Sequence, residues 1–320
     1  MRRLHAVVLT AALVLAWGVA AAQPNPFRLA PNWTQLPDGM KLGNRGLSAD
    51  PDPQGNIWVF HAGDPALLKF DRSGKFQASF GKGMFVGPHG LHVDRDGNIW
   101  VTDCAAFVSA EEANRGRGYQ VFKMRPDGTV LMTLGTAGVS KAGPNSFICP
   151  SDVAIARNGD IFVADGHDPR QGQPDGDRIV KFSKDGKFLA AWGRRGSAPG
   201  EFSGPHSIAL DSRDRVFVAD RSNNRIQIFE PDGRFIAEWK QFGRPSGIVI
   251  DGNDTLYVAD SESNEKRNPG FQTGIKIGSA RDGSLSAFIP GTSQEGVTAD
   301  AMGNVYAGAD GALQKYVRGN

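Results

Sequence analysis

Short apolar stretches alternate with glycine-containing turns along the chain, and a unit of four such stretches recurs six times. Runs this short, rich in β-branched and aromatic residues and bounded by turn signals, are typical of β-strands. The second strands of the units are Ile57–Phe60, Ile99–Asp103, Ile161–Asp165, Val216–Asp220, Leu256–Asp260 and Val305–Gly308. Turns of the Ser-Gly or Asp-Gly type separate third from fourth strands in five units, with their glycines at 74, 128, 186, 233 and 283. Repeats of about 40–60 residues with four strands each predict an all-β fold, a six-bladed β-propeller.

The sixth unit ends at Val317 without a fourth strand of its own. We expect the segment Trp33–Leu36 to supply that strand, because pairing the N-terminus with the last unit closes the ring and removes an exposed sheet edge. An open β-solenoid, the alternative, would not need such a strand. The predicted organisation is therefore a leader over residues 1–22, an N-terminal segment with the closing strand over 23–43, and the propeller over 44–320.

The leader has the three regions of a secretory signal peptide. Arg2 and Arg3 precede an apolar centre, and the small residues Ala20–Ala22 precede Gln23, so cleavage is predicted after Ala22. An uncleaved membrane anchor is the alternative, although the apolar run is short for one. No other segment approaches the roughly 18 apolar residues of a membrane span. The sequence thus predicts a periplasmic or secreted protein.

Composition excludes several classes of protein. With 41 glycines, 19 prolines and 40% hydrophobic residues, the 320-residue chain is turn-rich but lies below the roughly 25–30% glycine plus proline of disordered chains. The 36 basic residues include Arg2 and Arg3 of the leader, so the mature chain balances 34 basic against 34 acidic residues. Such a chain lacks the basic excess that nucleic-acid binding requires. A monomer without a nucleic-acid partner is expected.

The two cysteines, Cys104 and Cys149, lack the paired spacing of a zinc site. An oxidising compartment permits a disulfide between them. Cys104 follows the second strand of unit 2 and Cys149 begins the inner strand of unit 3, so both should lie on the same face of adjacent blades. We therefore predict that they form a disulfide.

One mouth of the central channel carries the candidate chemistry. Alignment of the innermost strands on their first apolar residue places six residues at one equivalent position: Arg45, His89, Ser151, His206, Ser246 and Glu295. Innermost strands line a propeller's channel, so these side chains should form a ring at its mouth. The longer segments over 105–118, 136–148, 166–177 and 261–274 belong to the same face, and long loops on a rigid scaffold commonly build sites.

Two imidazoles and one carboxylate in this ring form a candidate set of metal ligands. His89, His206 and Glu295 come from alternating units and would leave a coordination position for water or substrate, as in catalytic zinc sites. Zn²⁺ is the first choice, and Fe²⁺ or Mn²⁺ would accept the same ligands. The alternative is a set of polar channel residues that hold ordered water. Ser151 and Ser246 are candidate substrate-binding residues.

The sequence resembles a known family at these positions. The phrase Val218–Phe229 resembles the NHL repeat, and Gly87–Leu91, Cys149–Val153 and Gly204–Ile208 resemble, in order and spacing, the lyase domain of peptidylglycine α-amidating enzymes. The resemblance implies a six-bladed propeller that cleaves peptidyl-α-hydroxyglycine to a peptide amide and glyoxylate. It also implies a zinc ion held by three histidines, a tyrosine base and an arginine for the substrate carboxylate. His89 and His206 match the first two histidines, and the third falls on Glu295. Calcium on the propeller axis is implied by the resemblance alone.

Besides Glu295 in place of the third histidine, three positions depart from the family pattern. His167 stands where the family has its tyrosine, Ala62 where it has its arginine, and Asp168 where it has the disulfide partner of Cys149. His167 could act as general base or acid, because its unperturbed pKa lies near neutrality, although a plain surface-loop histidine is the alternative.

Two arginines could clamp an anionic substrate group in place of the missing family arginine. Arg45 belongs to the ring itself. Arg221 belongs to the NHL phrase, where an arginine often braces neighbouring blades, and this bracing role is its alternative.

Two functions from different classes fit this pattern. One is a metal-dependent lyase, or a related hydrolase or lactonase, acting on a small molecule or a peptide. The other is a non-catalytic propeller that binds a peptide, a glycan or an envelope partner through its loop face. A stoichiometric metal with an open coordination position would distinguish the first from the second.

Overall fold

Six four-stranded antiparallel sheets make up the fold, seen in a computed structural model that describes residues 23–43, 47–109, 116–167, 176–291, 295–309 and 311–319. The innermost strands of successive sheets contact one another around a closed ring. The six sheets are the blades of a β-propeller, as the repeat predicts. The predicted leader, residues 1–22, lies outside the described residues.

Each of the first five blades takes four consecutive strands of the chain, ordered from the channel outwards. Blades 1 and 2 contain β2 (Ser48–Pro51), β3 (Ile57–Phe60), β4 (Leu67–Phe70), β5 (Phe76–Phe80), β6 (Pro88–Val93), β7 (Ile99–Asp103), β8 (Gln120–Met124) and β9 (Val130–Leu134). Blades 3 and 4 contain β10 (Pro150–Ile155), β11 (Ile161–Asp165), β12 (Arg178–Phe182), β13 (Phe188–Trp192), β14 (Pro205–Leu210), β15 (Val216–Asp220), β16 (Arg225–Phe229) and β17 (Phe235–Trp239). Blade 5 contains β18 (Pro245–Ile250), β19 (Thr255–Asp260), β20 (Gly274–Ser279) and β21 (Leu285–Pro290).

Blade 6 combines both ends of the described chain. It contains β22 (Val297–Ala299), β23 (Val305–Ala309) and β24 (Ala312–Arg318), and its outer strand is β1 (Phe27–Ala30), paired antiparallel with β24. Closure by an N-terminal strand is therefore confirmed. The expectation that Trp33–Leu36 forms this strand is wrong, because residues 27–30 already occupy the edge of β24.

The core lies between the blades and explains the strand sequences. The second strands are buried along almost their whole length, because a neighbouring blade packs on each of their two faces, and this selects β-branched and aromatic residues. The outermost strands are less buried, as in β13, whose residues are all exposed or partly buried.

Trp33 is buried between blades 6 and 1. Its ring lies 5.0 Å from that of Tyr306 and 6.2 Å from that of Phe70, measured between centroids. Gln35 next to it forms an isolated parallel bridge with Lys75. The predicted closing segment thus contributes to ring closure through the buried Trp33 side chain and the backbone hydrogen bonds of Gln35 to blade 1, while β1 supplies the fourth strand of blade 6.

Trp33→Ala is expected to lower the free energy of unfolding by about 3–5 kcal/mol, the usual cost of emptying a buried tryptophan site. Leu29→Ala in β1 is the control, because Leu29 is 49% exposed and should cost under about 0.5 kcal/mol. Denaturant unfolding of the two variants measures both. Equal losses would contradict the role of Trp33 in closing the ring.

The predicted disulfide between Cys104 and Cys149 is present, with their Cα atoms 4.8 Å apart. Both cysteines are fully buried and pack against Ile148. Such a bond is typical of oxidising compartments. Among the described residues, no helix has the length and apolar character needed to cross a membrane.

Candidate active site at the channel mouth

The described ring residues meet at one mouth of the channel. His89, Ser151, His206 and Ser246 are each the second residue of an innermost strand, and Glu295 lies two residues before β22. All of them line the channel. The sixth predicted member, Arg45, lies outside the described residues, so its proposed role as an anion clamp stays a prediction.

Backbone carbonyls of the neighbouring blades orient the two ring histidines. His89 Nδ1 lies 2.6 Å from the Ser151 carbonyl oxygen, and His206 Nδ1 lies 2.7 Å from that of Ser246. Because a carbonyl can only accept, each Nδ1 must carry the proton and donate it. The lone pair then lies on Nε2 of each ring, which is the arrangement found in metal-binding histidines.

The two ring serines act through their backbones. The Ser151 hydroxyl donates to the Pro205 carbonyl oxygen at 2.7 Å, and the Ser246 hydroxyl lies 2.7 Å from that of Ser261. Both serines are fully buried. Their predicted contact with substrate gains no support from this placement, since their carbonyls orient the histidines.

His167 completes a cluster of three imidazoles. Its ring centroid is 4.3 Å from that of His206 and 5.2 Å from that of His89. One nitrogen from each of the three rings lies within 4.8 Å of the other two, and no other group of three His, Cys, Asp or Glu side chains in the described chain comes so close. His167 is therefore part of the channel-mouth site.

Gly166 lets the chain turn His167 inwards. Its φ is +143°, and a Cβ there would lie only 2.3 Å from the Gly176 carbonyl oxygen. Both conditions select glycine at this position.

Glu295 and Arg221 form the charged side of the site. Arg221 Nη1 donates to Glu295 Oε1 at 3.0 Å, and the same oxygen lies 3.4 Å from His206 Nε2. Arg221 Nη2 lies 3.2 Å from His167 Nε2. Arg221 thus links Glu295 to the histidine cluster across blades 3, 4 and 6. These contacts are compatible with the bracing alternative for Arg221 as well as with a role in the site, while Arg225 of the same phrase pairs within blade 4, its Nε donating to Asp220 at 2.7 Å.

Burial keeps the histidines neutral. Burial, followed by the charge of His206, lowers the pKa of His89 to about 4. Burial and Arg221 lower the pKa of His206, and burial lowers the pKa of His167 far below its usual range. Burial alone would raise the pKa of Glu295, but His206, His89 and Arg221 together lower it. At neutral pH the site therefore offers three neutral imidazoles beside a carboxylate.

Two further residues at this mouth have no counterpart in the sequence analysis. Arg244 Nη1 donates to the Arg221 carbonyl oxygen at 2.9 Å, and Arg244 Nε pairs with Glu262 Oε2 at 2.9 Å. Glu262 Oε2 also lies 4.0 Å from Arg221 Nε. Their positions follow from neither the ring register nor the repeat, because both side chains reach the site from connecting segments. They hold Arg221 in place.

The residues present fit a zinc ion. Three neutral imidazoles with neighbouring donor atoms are a common zinc set, and the buried His206 Nε2, with its proton on Nδ1, forms no hydrogen bond within the described part of the chain although Glu295 Oε1 lies 3.4 Å away. Glu295 lies outside the cluster of three, in its ion pair with Arg221, so the geometry favours His167 over Glu295 as the third ligand. In the channel, the Asp152 carboxylate accepts hydrogen bonds from the Ser207 hydroxyl and the Ile208 amide. A calcium ion on the propeller axis stays a prediction of the resemblance.

Comparisons with known proteins agree with the predicted repeat and propeller fold. The NHL repeat family matches residues 202–229. Peptidyl-glycine alpha-amidating monooxygenase B of Xenopus laevis is 32% identical over 84% of this chain and 33% of its own length. Peptidyl-alpha-hydroxyglycine alpha-amidating lyase 1 of Drosophila melanogaster is 35% identical over 52% of this chain and 30% of its own length.

A structural relative extends over nearly the whole propeller. A gluconolactonase from Xanthomonas campestris has a TM-score of 0.57 and 17% identity, covering 92% of this chain and 95% of that one. At 17% identity, this structural similarity shows a shared fold and nothing about function. The chain spans between a fifth and a third of the length of the amidating monooxygenases it matches. The chain is a six-bladed β-propeller with an NHL repeat at residues 202–229, and its sequence resembles that of the peptidyl-α-hydroxyglycine α-amidating lyases.

Proposed function

We propose that the chain is a zinc-dependent lyase that cleaves the C–N bond of a peptidyl-α-hydroxyglycine or a closely related carbinolamide at the channel mouth. The observation that carries this proposal is the cluster of His89, His167 and His206 beside the Glu295–Arg221 pair. The relatives' names supply the reaction class, and the cluster supplies groups competent for it.

The roles of His167 and Glu295 are exchanged relative to the expectation from the ring register. His89, His167 and His206 would hold the metal, and Glu295 would serve as the proton acceptor. The ion pair with Arg221 keeps the Glu295 carboxylate beside His206, at the edge of the three donor atoms. A zinc ion in this place would act as a Lewis acid on the substrate's hydroxyl oxygen.

The proposed reaction balances without an added reactant. Glu295 accepts the proton of the substrate's α-hydroxyl group, and the O–H electron pair forms the carbonyl of glyoxylate. The bond between the α-carbon and the amide nitrogen breaks, and its electron pair stays on the nitrogen. That nitrogen takes up a proton, which Glu295 can return, and a peptide amide leaves.

Arg221 would bind the carboxylate of the substrate. Its guanidinium is buried at the site, and it can form a two-point hydrogen-bonded pair with a carboxylate. This would replace the family arginine that is missing at Ala62. Glu262 and Arg244 would fix the orientation of that guanidinium.

The buried disulfide supports a place in an oxidising compartment. With the leader predicted over residues 1–22, we place the protein in the periplasm or outside the cell, after cleavage following Ala22.

Glyoxylate release tests this function. Purified protein, loaded with one equivalent of zinc, should convert a benzoyl-α-hydroxyglycine to benzamide and glyoxylate, and the metal-free protein should be nearly inactive. The control is the chelator-treated protein after zinc is restored. A zinc-loaded protein that releases no glyoxylate would end the lyase proposal in favour of a metal-dependent hydrolase, and a protein that binds no metal would favour a binding propeller.

A further inference from the structure

The Cys104–Cys149 disulfide joins the blades that carry two of the clustered histidines. Cys104 directly follows β7 of blade 2, and Cys149 directly precedes β10 of blade 3. Blade 2 supplies His89, and the loop after β11 of blade 3 supplies His167. The bond is buried at the boundary of these blades, on the channel-mouth side.

On the blade 3 side, Cys149 supports the backbone of His167. The Cys149 carbonyl oxygen accepts from the Gly166 amide at 3.1 Å, and Cys149 Sγ lies 3.2 Å from the His167 carbonyl oxygen. Asp165 Oδ1 accepts from the Cys149 amide at 2.8 Å. Residues 165–167 therefore rest on this cysteine.

On the blade 2 side, Cys104 holds the segment that leads into His89. Its amide donates to the Gly87 carbonyl oxygen at 2.7 Å, and the Asp103 carboxylate accepts from the Gly87 amide at 2.6 Å. A Cβ on Gly87 would lie 1.9 Å from the Cys104 carbonyl oxygen, so the two backbones are in direct contact. The disulfide thus couples the supports of His89 and His167.

Among the described residues, blade 2 lacks the cross-strand ion pair that blades 3 and 4 have at the equivalent position. Asp165 faces Arg178 across the ladder and Asp220 faces Arg225, and each pair is closed by a salt bridge, at 3.0 and 2.7 Å. At the matching position Asp103 faces Gln120, which cannot form one. The disulfide at Cys104 thus lies directly after Asp103, the position at which blade 2 has no salt bridge.

The geometry points to a positioning role for this disulfide: it holds the His89 and His167 supports at the separation that lets the two imidazoles share one metal ion. This inference rests on the proposed metal site. In this role the disulfide contacts neither the substrate nor the metal.

Zinc affinity and amide exchange test the role in the full mature chain. Cys104→Ser/Cys149→Ser is expected to bind zinc about 10–100-fold more weakly than the wild type, the range typical of lost support around metal ligands. Zinc competition against a chelator measures the affinity. Trp33→Ala is the control for lost stability, because Trp33 packs between blades 6 and 1 and should leave the affinity unchanged.

Hydrogen exchange of the metal-free protein gives a second readout. In the double variant the Gly166 amide should exchange at least about tenfold faster, while the Ser222 amide, bonded to Ser203 in blade 4, should not change. Unchanged Gly166 exchange together with zinc affinity within twofold of the wild type would overturn the inference. A wild type that binds no zinc would overturn the proposed metal site, and the Gly166 exchange would still decide whether the disulfide holds the His167 backbone.

Discussion

His167→Ala is expected to bind zinc roughly 100-fold more weakly than the wild type, or worse, because it removes one of three protein ligands and even the loss of a supporting group costs 10–100-fold. Glu295→Gln should bind zinc nearly as tightly as the wild type, since Glu295 lies in an ion pair beside the cluster. Titration of each metal-free variant with zinc in the presence of a chromogenic chelator measures both affinities. His206→Ala is the positive control for ligand loss.

The opposite ranking of these two variants would restore the ligand set that the ring register predicts, with Glu295 as third ligand. His167 would then be left as the proton-transfer group. Equal retention of zinc by His167→Ala, Glu295→Gln and His206→Ala would contradict both ligand sets.

The propeller could be predicted from the sequence because its core repeats. Each second strand is covered on both faces, so packing imposes the same buried run six times, and each tight hairpin demands a glycine. The closing strand could not be placed so well. β1 lies at a sheet edge with only partly buried side chains, so Phe27–Ala30 carries a weaker apolar signal than Trp33, which packs into the core.

The ring of the candidate site followed from register, because equivalent positions on innermost strands face one channel mouth. The relation between Glu295 and Arg221 did not follow from it. Seventy-four residues separate them, and their contact depends on the reach of a long side chain across the mouth. His167 lies on a loop outside the repeat, where the conformation of Gly166, and not a strand register, directs the imidazole inwards.

Glu295→Gln is the variant expected to lose most activity while keeping its metal. The amide has nearly the shape of the carboxylate but cannot accept the hydroxyl proton, and the loss of a general base typically removes about 10²–10⁴-fold of rate. The fall should appear in kcat for glyoxylate release from the zinc-loaded protein. Glu230→Gln is the matched control, because Glu230 pairs with the exposed Arg234 in a hairpin outside the channel and should leave the rate unchanged.

The metal content of the same sample decides what a slow Glu295→Gln means. With zinc bound at one equivalent and kcat reduced, Glu295 acts on the substrate, because a lost ligand would lower the metal content first. A kcat within about threefold of the wild type would exclude Glu295 as the proton acceptor, since that is far below the usual contribution of a general base. Arg221→Lys extends the comparison: it keeps the positive charge beside Glu295 but loses the planar two-point fit to a carboxylate, so KM should rise more than kcat falls.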